Sequence, residues 1–319
     1  MQIFSLVFRV EPGHGGAVPA RDRLLAALVA VLWGANFLAI HVGLEHFPPL
    51  LFTGLRFALM AVPAIFLVGR PRIAWRYVLG FGFLLGVVKF GLLFVSLDLG
   101  MPAGLASLLL QLQVIFTIVF AGFVLRERPR REQLAGAAVA FAGLAVIGID
   151  RAASAPVLPF VLVLVAAATW GVTNVMTRIA QPPDPLAMLV WASLVPPLPL
   201  LGLSLLFEGP GEMGDALAGL DAEAIAALLF VSGVSGLFGF AVWTALLKRH
   251  SAASVTPFAL LVPVFGIASA ALALGERPSA LELGGAVLIC AGLAATLVPA
   301  RGARAARRSA RAVAAVPAP

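Results

Sequence analysis

Apolar positions along this chain fall into long runs separated by short polar punctuation, with no period-2 alternation that would mark strands. A helix needs roughly 20 mainly apolar residues to cross a hydrocarbon core of about 30 Å. Runs of that kind stand at 24–43, 50–69, 77–97, 102–124, 132–150, 157–177, 186–207, 222–247, 252–274 and 280–298. They predict an all-α membrane protein with ten transmembrane helices. The connections are mostly short. The longest, Glu208 to Asp221, carries Glu208, Glu212, Asp215 and Asp221. No polar stretch is long enough for a soluble domain, so the function must lie within the helix bundle.

Composition agrees: 61% of residues are hydrophobic and 12% charged, against about 25% charged in soluble domains. The single cysteine, Cys290, has no second thiol or nearby histidine. It reads as a small hydrophobe, and neither a disulfide framework nor a zinc site can be built around it.

A net charge of +7 raises the question of nucleic acid, but the placement of the basic residues answers it. With the N-terminus cytoplasmic, all but four of the 22 Lys and Arg fall on the inner side. Arg151 and Arg277 lie in outer loops, and Arg56 and Lys89 lie inside spans. This is the positive-inside bias, and it places both termini in the cytoplasm. Contact with anionic headgroups of the lipid bilayer accounts for the basic tail RGARAARRSARAVAAVPAP without nucleic acid. Residues 1–21 and 301–319 read as disordered extensions; IFSLVF near the start is too short for a secretory core.

An internal repeat organises the rest. Shifted by ~149 positions, the stretch from Ser107 lies over the stretch from Thr256. Identical pairs include Phe116 with Phe265, Glu127 with Glu276, Gly136 with Gly285 and Gly143 with Gly292. Trp33-Gly34 and Trp170-Gly171 open the two halves, 22–151 and 152–300. Five helices per half is an odd number, so the second half must run through the membrane in the opposite sense. The repeated loop agrees, reading RERPRRE where it falls inside and GERPSALE where it falls outside. Two inverted five-helix repeats are the usual frame of secondary transporters that rock around a central site.

The stretches WGANF (33–37), PPLLFTGLRF (48–57), GMPAGLASLLLQLQ (100–113), QLAGAAVAFAG (133–143) and LLVPVFGIASAALALGERP (260–278) resemble the EamA-type branch of the drug/metabolite transporter superfamily over about residues 22–300. The resemblance implies a carrier in the bacterial inner membrane that exports small metabolites, with cysteine-pathway amino acids such as cysteine and O-acetylserine foremost. Exporters of other amino acids or of amphipathic drugs are the alternative. No cofactor and no obligatory protein partner is implied.

Enzyme signatures are weak. GFGFLLG (80–86) has the wrong spacing for a dinucleotide loop and reads as close helix packing. HExxH and GxSxG do not occur, and His41, His46 and His250 fall near helix ends, where solvation is the default.

Depth singles out the candidate site. At ~1.5 Å per residue, Lys89 lies about 18 Å from the inner face, and Asn36 comes to the same level. Gln111 lies about 13 Å and Arg56 about 9 Å below the outer face. No carboxylate shares that layer, and a charged side chain at mid-span costs about 3 kcal/mol on insertion scales. Three states are open to Lys89: neutral, held by amides such as Gln111 or Asn36, or awaiting an anion such as a substrate carboxylate. Arg56 can line the same site or snorkel outward to Asp98 or Glu45. Gln113 is also near the midplane, on another helix face from Gln111. Trp33, Trp170 and Trp243 are candidates to line a substrate cavity, with packing or interfacial anchoring as the alternative.

Overall fold

The computed structural model describes residues 18–129, 131–154, 157–250 and 255–296. Among them the protein is all-helical. In chain order the helices are α1 (Ala20–Leu44), α2 (Pro49–Ala64), α3 (Trp75–Asp98), α4 (Ala103–Val124), α5 (Arg131–Ser154), α6 (Val157–Ala180), α7 (Pro185–Phe207), α8 (Pro210–Ala218), α9 (Ala222–Arg249), α10 (Thr256–Ala273) and α11 (Ala280–Thr296). Seven of these, α1, α3, α4, α6, α7, α9 and α10, are long and apolar enough to cross a membrane; α2 is a shorter apolar helix.

The differences from the sequence reading have local causes. The run 50–69 yields a helix only to Ala64, one residue after Pro63, whose ring and missing N–H oppose continuation. In α7 the helix breaks at Ser193–Pro196, because Pro196 and Pro197 cannot both be accommodated in a continuous ladder. The acidic connection from Glu208 to Asp221 is not wholly irregular: it holds α8, started by Pro210 at its first position. The start of the run at 252, the end of the run at 298, and residues 1–17 and 301–319 of the two terminal extensions lie outside the described residues, whereas Ala20 and Arg21, read as the end of the N-terminal extension, already belong to α1.

Two helices widen midway. Phe83–Phe90 in α3 and Phe230–Phe238 in α9 are π-helical, and α4 tightens to a 3-10 turn at Leu110–Leu112. Such departures re-aim the side chains that follow. Gly82 and Gly86 face α7, where a Cβ on Gly82 would come 2.8 Å from Val195. Regular helical spacing from Gly82 and Gly86 predicts Lys89 on that same face, and Lys89 departs from it. The widened turn swings it toward α6, over Trp170.

Close approach through small residues holds the bundle. On Gly34 a Cβ would come 2.6 Å from Phe265, and on Gly171 2.8 Å from Phe116, so α1 lies tight on α10 and α6 on α4. Helices α5 and α11 pack by Gly143 against the Gly285 carbonyl and Gly292 against the Gly136 carbonyl.

Polar contacts sit at the two ends. At one, Glu208 accepts from the Leu50 and Leu51 N–H groups at 2.6 and 3.1 Å, and Glu276 from Ala103 and Gly104 at 2.8 and 3.1 Å. Each carboxylate thereby caps the N-terminus of another helix. At the other, Arg178 pairs with Glu127, Lys248 with Asp184, and Asp22 with Arg249 and His250. His250 is thus half-buried against Asp22 at 2.6 Å, and His46, nearer the surface, faces Asp221 at 3.3 Å.

Candidate functional site

Helices α1, α2, α3, α4, α6, α7, α9, α10 and α11 all contribute to the wall of one central cavity of about 400 Å3, within the size range of small-molecule sites. Its position follows from the elements just described. The α3 widening turns Lys89 inward, the α4 3-10 turn presents Gln111, and the tight α1–α10 and α6–α4 contacts bring the tryptophans of α1 and α6 to its walls. Lys89, Asn36, Gln111, Arg56, Gln113, Trp33, Trp170 and Trp243 all line it.

The charges come first. Lys89 is 3% and Arg56 3% exposed. The Lys89 ammonium lies 3.2 Å from the centroid of the Phe90 ring and 4.4 Å from that of Trp170. The Arg56 guanidinium lies 3.9 Å from the same Phe90 centroid, flanked by Phe57 and Phe94 at 5.7 Å. Arg56 therefore does not snorkel to Asp98 or Glu45. The aromatic shelf of Phe57, Phe90 and Phe94 holds it inside.

Amides do not hold Lys89 either. Gln111 spends its N–H on the Ala259 carbonyl at 2.7 Å, and no hydrogen bond or ion pair reaches the Lys89 ammonium among the described residues. The Nε and Nη1 of Arg56 and the Oδ1 of Asn36 are buried without hydrogen-bond partners.

Magnitudes decide what this arrangement implies. Sharing one ring holds the two positive centres within about 7 Å, where like charges repel by about 2 kcal/mol at an effective dielectric near 20. A desolvated cation–π contact returns about 2 kcal/mol. That offsets the mutual repulsion and leaves the cost of desolvating each cation, several kcal/mol in a protein interior, uncompensated. Loss of the Lys89 proton or arrival of an anion would relieve that cost.

The remaining wall is polar without charge. Gln113 Oε1 accepts from Asn174 at 2.6 Å, and Asn174 also donates to Thr117 at 3.0 Å. Gln111 and Gln113 do point to different neighbours, α10 and α6, yet both border the cavity, because it spreads across α4 between those helices. Trp33 donates to the Ser235 carbonyl at 3.1 Å and packs on Phe240 and Trp243 at 5.1 and 5.2 Å. Trp33 combines both sequence alternatives, packing and lining at once.

Sequence reasoning missed Asn174, Thr177 and Thr244, which also line the cavity. A signal was present: Trp170, Asn174 and Thr177 recur at helical spacing on α6. Cys290 packs half-buried against the core.

An all-helical, multi-pass bundle around a cationic, aromatic-lined cavity is a membrane transporter in class. The sequence places it further: the profile of the EamA-like transporter family matches residues 23–149 and again 158–298. The chain belongs to that family. It is 44% identical over 280 residues to a probable amino-acid metabolite efflux pump of Salmonella typhimurium, covering 86% of this chain and 93% of that one. A protein of the same description from Escherichia coli is 41% identical over 279 residues, at 86% and 93% coverage. A crystal structure matches with a TM-score of 0.61 and 23% identity, covering 87% of this chain and 96% of the other, a likeness of fold. These relatives are transporters and pumps, so the chain is a carrier of a small-molecule substrate and not an enzyme.

Proposed function

We propose that this protein is a secondary exporter of amino-acid metabolites that works by alternating access, with the substrate carboxylate held at Lys89. The observation that carries the reading is the Lys89 ammonium, buried on Phe90 and Trp170 with no protein carboxylate to answer it. The α-carboxylate of an amino acid supplies that charge, and Asn36 Oδ1 offers an acceptor for the neighbouring N–H groups. The relatives' description as amino-acid metabolite efflux pumps supports the substrate class. Cysteine-pathway amino acids, cysteine and O-acetylserine, are the members the sequence resemblance favours.

The frame for this exporter is ten spans in two inverted repeats, with the bundle in the bacterial inner membrane and both termini cytoplasmic. Reciprocal contacts support it. Repeat mates Phe116 and Phe265 receive Gly171 and Gly34, and the paired glycines of α5 and α11 each meet the carbonyl of the other's mate. The family profile also matches the chain twice. In this frame Thr177, Pro185 and Thr244 carry the cavity toward the cytoplasmic end, an arrangement suited to loading from inside.

The test is counterflow of labelled amino acids in proteoliposomes. Lys89→Met keeps length and packing, so the protein should fold and carboxylate-substrate flux should fall by about 100-fold, the loss of roughly 3 kcal/mol of charge-assisted binding. Lys89→Arg should recover part of it, since a planar fork does not replace a compact ammonium in a confined site. Undiminished flux in well-folded Lys89→Met ends the carboxylate reading.

A further inference from the structure

In the proposed function Lys89 answers one anion, and the cavity holds a second basic side chain, Arg56. Arg56 comes from α2 and Lys89 from α3, and each lies over the Phe90 ring. A substrate with a single carboxylate leaves one positive charge unanswered inside the membrane. Arg56 is 3% exposed, lines the cavity, and keeps both Nε and Nη1 without a hydrogen-bond partner. No described residue accepts a hydrogen bond from this guanidinium, so the edge formed by Nε–H and the neighbouring Nη2 group, the pair that grips an oxyanion side-on or cradles a halide, is open to a ligand. The aromatic shelf of Phe57, Phe90 and Phe94 fixes the guanidinium plane from behind, so the donors are set before any ligand arrives.

We infer that Arg56 forms a second anion subsite, separate from that of the substrate α-carboxylate, which takes a monovalent anionic group. That group comes from one of two sources. It is either a free inorganic anion such as chloride, bound beside a cargo with one carboxylate, or a second acid group on the cargo itself. In both cases the loaded cavity approaches neutrality, which lowers the cost of carrying it through the bilayer interior. The inference rests on the proposed export function for its biological sense, but its test does not depend on flux.

The experiment measures the melting temperature of the purified full-length protein in sodium chloride and in sodium methanesulfonate at equal ionic strength, with glutamate or cysteine added to each. Chloride as the source predicts a saturable rise of about 3 °C in the wild type. It predicts that cysteine stabilises further only when chloride is present. A cargo acid as the source predicts that glutamate stabilises equally in both salts and more than cysteine does. In either case Arg56→Gln abolishes the response and Arg56→Lys keeps it at reduced affinity; with chloride as the source, Lys89→Met retains it. No stabilisation by either source in the wild type, or a response unchanged in Arg56→Gln, overturns the subsite. Should Arg56→Gln fail to fold, the wild-type and Arg56→Lys titrations still decide it. Persistent flux in Lys89→Met would remove the carboxylate role of Lys89 and leave this readout standing.

Discussion

The helix pair α5–α11 and the cavity wall are built from matched halves of one sequence, yet they use the match differently. In α5–α11 the glycine contacts are reciprocal: Gly143 meets the Gly285 carbonyl, and Gly292 meets that of Gly136. Along its glycine seam the interface is apolar, and the side-chain hydrogen bond from Ser279 to Asp150, at 2.8 Å, lies at the helix end. At the cavity the frame is still reciprocal, with Gly34 on Phe265 and Gly171 on Phe116, but the chemistry is not. Trp170 lies under the Lys89 ammonium, while Trp33 instead donates to Ser235 and fits against Gly239, where a Cβ would come 2.7 Å from its indole nitrogen. Packing follows the repeat. The charges appear where the repeat lapses, which is what a site selective for an asymmetric substrate requires.

The repeat comparison is broken most completely by topology. In a chain with Cys290 replaced by Ala, single cysteines at Gly211 and Ser279 should react fully with an impermeant thiol reagent from outside intact cells. Those at Arg72 and Arg128 should react only after permeabilisation, as the distribution of basic residues requires. Arg128 and Ser279 belong to the two copies of the repeated loop. If they label from the same side, the halves are not inverted and the reciprocal glycine contacts need another origin.

Next in size is a steric test of the symmetric region. A side chain on Gly292 would meet the Gly136 carbonyl and Ala140, whereas one on Gly284, on the same helix, meets nothing within 4 Å. Gly292→Leu should therefore cost more than about 3 kcal/mol by overpacking and abolish monodisperse protein in detergent. Gly284→Leu should leave the yield and melting temperature unchanged. Equal tolerance at both positions would mean that α5 and α11 are not held at glycine distance.

Much of this organisation was legible in the sequence, and the limits were physical. Apolar runs locate the long helices because length and hydropathy are one-dimensional properties. Depth counted at a fixed rise per residue gathered Asn36, Arg56, Lys89 and Gln111 into one layer, and they do line one cavity. Direction around the helix was harder. The π turn Phe83–Phe90 carries no residue signature beyond a glycine, so helical spacing alone puts Lys89 on the Gly82 and Gly86 face that it leaves. The fate of Arg56 turned on Phe57, Phe90 and Phe94 converging from two helices, which no spacing rule brings together. Asn174 carries no charge, and nothing in the apolar run 157–177 distinguishes it from the threonines around it until α6 is packed against Gln113 and Thr117.

The smallest expected effect lies outside the membrane-spanning segments, where His46 links the end of α1 to the start of α9. Its Nδ1 faces the Val42 carbonyl at 3.0 Å and its Nε2 faces Asp221 at 3.3 Å. The Val42 carbonyl first, and the Asp221 carboxylate after it, raise the His46 pKa above its ordinary 6.5. Asp221 is depressed below 3.8, chiefly by the Ala224 N–H that it caps and further by His46. A group whose folded pKa is raised contributes stability that is complete below the unfolded value and lost as pH climbs through the folded one. The contact should therefore weaken from pH 6.5 upward. The Asp221 contribution runs the other way and disappears only as pH falls through its depressed value. Both groups are solvated, so screening keeps the effect to about 1 °C in melting temperature between pH 6 and 8. His46→Gln should flatten that slope and leave the cavity untouched. A slope that persists in His46→Gln would assign it to another group and detach this end of the bundle from pH.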